Sequence, residues 1–154
     1  MDYHDLIPEI RKWEEHNKHP FDPGEWIGCV GNFEHAIGYA WLFWPAFVIH
    51  EDCILGEGFA QEVYQGFLAQ TKGDKSAVEA VMNHIHIAPL FSGSSKRPTP
   101  LQAQWLGERL RDMWEAKLKR DFPDRKIKVE FYMPENRDDL GEYQLTAFQE
   151  RNAG

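Results

Sequence analysis

Between Gly31 and Pro45 the chain reads GNFEHAIGYAWLFWP, and this stretch restricts the fold more than any other. Asn32 is a helix-capping residue type. After it, Phe33, Ala36, Ile37, Ala40, Trp41 and Trp44 recur at i, i+3, i+4, i+7, i+8 and i+11, the stripe of an amphipathic helix. Tyr39, Leu42 and Phe43 then fill the opposite side, and Pro45 ends the run. A helix apolar nearly all round must lie at the centre of a core or be covered by a partner. Aromatic residues make up 14% of the chain, enough for a large aromatic core. The alternative is an interface, because Trp and Tyr anchor binding hot spots. Its surface would comprise Tyr39, Trp41, Phe43 and Trp44 with Trp26 from the loop before the helix.

The remaining elements fit an α+β domain. Leu6, Ile10 and Trp13 share a helical stripe from Pro8 to His16, and NKHPFDPGEWIG reads as a loop. AFVIHEDCIL reads as extended, with His50-Glu51-Asp52 either a hairpin turn or a polar break in one strand. Phe59, Val63, Phe67 and Leu68 predict a helix to Gln70. Ser76 and Glu79 have capping-box spacing ahead of Val78, Val81, Met82 and Ile85. SGSSKRPTP, residues 92–100, reads as a flexible linker. Thr99, Pro100 and Gln102 then open a long helix whose inward residues are Leu106, Leu110, Met113, Trp114 and Leu118. KIKVEFYM alternates with period two, and EYQLTAF is its expected partner strand. The expectation is several helices packed on an antiparallel sheet, with a C-terminal β-hairpin after the long helix. The 154 residues suit one compact domain, 1–154, carrying the linker inside it.

Lys and Arg number 17 against 25 Asp and Glu, a formal charge of −8. Nucleic-acid binders draw most of their affinity from basic faces, so no nucleic-acid partner is expected. The longest apolar run, AIGYAWLFWPAFVI, is broken by Gly38 and Pro45 and falls short of the ~20 residues of a membrane helix. The charged opening MDYHDLIPEIRKWEEH lacks a signal-peptide pattern. Cys29 and Cys53, the two cysteines, form no disulfide framework. The protein is therefore expected in the cytoplasm.

VMNHIHIAPLF, residues 81–91, holds the nearest approach to a metal motif, His84-Ile85-His86. On a helix the two side chains diverge; on a strand they share a face and can chelate. Pro89 places them at a helix-to-extended junction. Zinc or another transition metal would need further ligands, and His50 or Asp52 is the expected supplier, with His35 beyond them. A histidine also suits a helix carboxyl end without any metal. Cys29, flanked by Gly28 and Gly31 and placed before a helix amino end, could pair with His35 or His84 as nucleophile and base; a small buried residue explains it as well. Serines stand at 76, 92, 94 and 95, and none lies in a G-x-S-x-G elbow. H-E-x-x-H, P-loop and G-x-G-x-x-G motifs are also absent.

Two functions follow as expectations. The first is a small acidic intracellular protein-binding domain without catalysis or cofactor. Its partner would be a second copy or another protein. In class it is like bacterial immunity proteins, which neutralise a cognate toxin and are short, acidic and aromatic-rich. The second is a metal-dependent hydrolase or metal-binding protein using His84 and His86 with His50 or Asp52, one open coordination position activating water.

Overall fold

The computed structural model describes residues 2–94 and 96–151. The chain divides into two compact units, Met1–Ala40 and Trp41–Gly154.

The first unit holds α1 (Tyr3–Leu6), α2 (Glu9–Asn17), α3 (Pro23–Val30) and most of α4 (Phe33–Phe43). Asp2 caps α1, and Lys18 ends α2 in the left-handed conformation, φ 57°. The His4 ring lies 2.9 Å from a Glu14 oxygen and 2.6 Å from Asp2. The Glu14 bond, with Asp2 behind it, raises the imidazole above its ordinary pKa and lowers both carboxyls. Glu14 also accepts from the Phe21 amide at 2.8 Å, which folds the following loop back onto α2. Leu6 and Ile10 are buried, and Phe21 collects Tyr3, Trp13 and Trp26 around it at ring separations of 5.9–6.3 Å. The second half of the expected loop is in fact helical. Asp22 accepts from the Glu25 amide, and Pro23 occupies the first turn of α3, a combination of cap and pre-set φ that favours initiation. Asn32 caps α4 as expected, accepting from the His35 amide at 2.9 Å.

The second unit begins with the last turn of α4. β1 (Phe47–His50) and β2 (Cys53–Gly56) form an antiparallel hairpin. Glu51 and Asp52, at φ 47° and 70°, make the two-residue turn whose twist matches paired strands, so the polar interruption is a turn. α5 (Gln61–Gln70) and α6 (Lys75–Met82) follow, then the short strand β3 (Ile85–His86), the long helix α7 (Pro100–Asp121), β4 (Ile127–Tyr132) and β5 (Gln144–Gln149). The second sheet has the order β3-β5-β4, all antiparallel. The fold is α+β, with two small antiparallel sheets and the C-terminal strand pair after the long helix. Among the described residues no helix is long and apolar enough to cross a membrane. The segment expected as a linker forms neither helix nor strand between Ser92 and Thr99 among the described residues; Ser95 lies outside them.

Three details differ from the sequence reading. In α5 the fully buried residue is Tyr64, while Val63 is 48% exposed; a tyrosine hydroxyl that finds a carboxylate can go inside. Asp74, not Ser76, caps α6, accepting from the Ala77 amide. Ser76 instead donates to the Gln149 carbonyl at 2.7 Å, and Glu79 is completely buried. In α7 the Thr99–Gln102 capping box forms as expected, but the inner seam runs through Ala103, Gly107, Leu110, Trp114 and Leu118, leaving Met113 37% exposed.

Gly107 marks the closest approach of α7 to the sheet. A β-carbon there would overlap the Phe131 ring of β4. Glycine in a helix interior ordinarily costs about 0.5–1 kcal/mol relative to alanine, so an alanine should help at an open site. At this one, overpacking should dominate, and Gly107→Ala is expected to destabilise by about 1–3 kcal/mol in urea unfolding. A stabilised variant would show that the ring swings aside freely.

Candidate functional site

The aromatic helix α4 has no buried residue, and neither has α3. Its main stripe faces outward: Phe33, Ile37 and Trp41 are 84%, 53% and 77% exposed. They lie at i, i+4 and i+8, on one side of the helix. On α3, Ile27 and Val30 are also exposed. Of the residues expected to form a binding surface, Tyr39, Trp41 and Trp44 are exposed. Trp26 is half-buried and packs on Phe21, and Phe43 is half-buried against the main core of the second unit. Phe33, Ile37, Ile27 and Val30 are further surface residues, the first two from the helical stripe itself.

No segment between Pro23 and Phe43 carries a lysine or arginine, and its acids are Glu25 and Glu34. Apolar groups presented this way have a large free energy to gain from being covered. The surface offers no nucleophile–base geometry. Cys29 is exposed in the last turn of α3, with Val30, Gly31 and Asn32 between it and the first residue of α4. His35 stacks beside Tyr39, with ring centroids 6.2 Å apart.

The histidine pair stands at the start of β3, His86 within the strand and His84 just before it. His84 and His86 flank Ile85 and their rings stand 4.6 Å apart. Each nevertheless has a protein partner: His84 Nε2 bonds the Gln144 side-chain oxygen at 2.9 Å, and His86 Nδ1 donates to the Gly141 carbonyl at 2.6 Å. Neither caps α6, whose carboxyl end is occupied by Asn83. The expected ligand set with His50 or Asp52 is not assembled: among the described residues no three of His, Cys, Asp and Glu are grouped to hold an ion. Asp52 is bound by Arg125 at 2.5 Å, whose guanidinium holds its carboxyl below the usual range. His50 packs edge-on to Tyr64 at 4.8 Å and tilted on Phe59 at 4.9 Å. Its Nε2 is shielded and makes no hydrogen bond. Cys53 beside it is buried, as a small core residue would be, and burial pushes its thiol up. Burial likewise pushes the Tyr64 phenol up, while its hydroxyl donates to Glu51 at 3.1 Å.

The densest polar cluster was not legible in the sequence. Glu79 of α6 accepts from the Ile54 amide (2.7 Å), the Gln149 amide (2.6 Å), the Gln149 side chain (2.6 Å) and both terminal nitrogens of Arg151 (3.0 and 3.1 Å). Asn83, one turn on, donates to Ile54 and Ala147 carbonyls and accepts from the Gly56 amide. These side chains join the β1–β2 hairpin to β5. Glu79 is fully buried and saturated with donors, so it has no free lone pair to offer a substrate and acts as a structural clasp.

No protein-family model matches the chain, and neither a curated protein nor a solved structure matches it.

Proposed function

We propose that this is a small acidic cytoplasmic domain that binds a protein and performs no catalysis, either as a homodimeric interaction protein or as an immunity-like neutraliser of another protein. One observation carries the reading: the α4 stripe of Phe33, Ile37 and Trp41 lies in solvent at 84%, 53% and 77% exposure. Monomeric surfaces scatter apolar residues singly, whereas contiguous apolar stripes mark contact sites. Tryptophan and large aromatics are the residue types that anchor such contacts.

The reading is tested by placing a photo-crosslinking side chain at position 37 and irradiating the protein in its own host cells. A discrete protein–protein adduct is expected from position 37, with none from the exposed position Glu15 on α2. If position 37 yields no protein adduct, the binding function falls.

A second reading, a metal-dependent hydrolase or metal-binding protein built on His84 and His86, is supported by their 4.6 Å ring separation. Its weakness is the number of ligands, since zinc sites draw on three or four protein side chains.

A further inference from the structure

Resting on the binding function proposed above, we infer that the occupant of the α4 stripe is a second copy of this chain, paired antiparallel about a two-fold axis at Ile37. Three observations lead there.

The first is the symmetry of the pattern. Phe33 and Trp41 stand four residues to either side of Ile37, about 6 Å each way along the helix axis. An antiparallel partner therefore sets Phe33 of one copy against Trp41 of the other, twice, with the two Ile37 side chains meeting at the axis. This is the self-complementary arrangement that an isologous dimer requires. Ala36 and Ala40 run beside the stripe, and small side chains there leave room for helix axes to approach to about 8–10 Å.

The second is the charge. The stripe itself contains no ionisable residue; Glu34 lies at its edge, and no lysine or arginine occurs between Pro23 and Phe43. A basic protein would be read by carboxylates, which the stripe does not present. A membrane-surface helix characteristically sets Lys and Arg on its polar face, and this helix has neither residue. A second copy meets it with the same uncharged surface.

The third is the area. Phe33 and Trp41 are largely exposed, and Ile37 more than half so. With about 150–250 Å² for each covered aromatic, the α4 stripe could remove on the order of 400 Å² per chain. A standard interface takes about 800 Å² per partner, so the stripe supplies its apolar centre and a polar rim the remainder.

Purified full-length chain examined by native mass spectrometry and light scattering should be a dimer at micromolar concentration. Ile37→Glu and Ile37→Lys should each give a folded monomer, because each places two like charges at the axis, with circular dichroism unchanged. Mixing the two variants should restore a dimer containing one of each. The wild-type dimer should weaken at least 100-fold on either substitution. A dimer indifferent to both substitutions, or a mixture that stays monomeric while the wild type pairs, overturns the inferred arrangement. A monomeric wild type whose position-37 crosslink carries a different protein also overturns the second-copy inference and leaves the binding function standing. A monomer that gives no protein crosslink, whether or not it floats with neutral phosphatidylcholine vesicles, overturns both.

Discussion

Glu79→Ala is expected to lower the unfolding free energy of the Trp41–Gly154 unit by about 3–5 kcal/mol, the usual consequence of removing one partner of a buried ion pair. The carboxylate is fully buried and takes five hydrogen bonds, two of them from main-chain amides of Ile54 and Gln149. Those amides belong to strands of two different sheets, β2 and β5. Without Glu79 they keep their burial and lose their acceptor, which costs about 1–3 kcal/mol for each unsatisfied group. Arg151, with a side chain only 27% exposed, would keep only the carboxylate of Asp52, 3.9 Å away, as a counter-ion. Glu79→Gln keeps the volume but turns an acceptor into a donor facing other donors, so it should recover little of the loss. Urea unfolding followed by circular dichroism measures both variants. A loss below about 1 kcal/mol for the alanine variant would mean that Asn83 and apolar packing hold the two sheets together without Glu79.

Periodicity revealed most of the elements and little of the clasp. The alternation of Ile127, Val129, Phe131 and Met133 located β4 because one of its faces meets α7 and the other does not. The Thr99–Gln102 box located the start of α7 because a cap is a local bond within four residues. Glu79 could not be found this way: its partners Ile54, Gln149 and Arg151 are 25, 70 and 72 residues distant. Within its own neighbourhood Glu79 looked like the reciprocal acid of a cap at Ser76. The histidines illustrate a different limit. Whether His84 and His86 come together depended on where α6 stops, and it stops at Met82, early enough for both to lie outside the helix with their rings 4.6 Å apart. For α4 the stripe was visible but its direction was not. A helical period reports that one side differs from the other, and here both sides are apolar. Leu42 and Phe43 pack against the main core while Phe33 and Trp41 remain outside, a choice made by tertiary partners absent from the local pattern.

Trp114→Ala is expected to cost about 3–5 kcal/mol, as truncations of large buried aromatics do. The indole of Trp114 is 5% exposed, meets the Phe47 ring edge-on at 5.6 Å and donates from Nε1 to the Leu42 carbonyl at 2.9 Å. That carbonyl belongs to the last turn of α4, where helical carbonyls lose their partners within the helix. The long helix thus supplies a donor to the end of the aromatic one, and Leu42 and Phe43 pack into the same core. Trp114→Phe separates the two contributions. It keeps an aromatic ring beside Phe47 and removes the donor, so about 1–3 kcal/mol should be lost for the orphaned carbonyl. Both variants should accelerate hydrogen exchange at the amides of Leu42 and Phe43, since the turn they close would be held by fewer bonds. If exchange there stays slow in Trp114→Ala while global stability falls, the last turn of α4 is secured by Leu42 and Phe43 packing, and the indole serves the core alone. If exchange accelerates in both variants, the hydrogen bond from Trp114 to the Leu42 carbonyl is what holds the last turn of α4 closed.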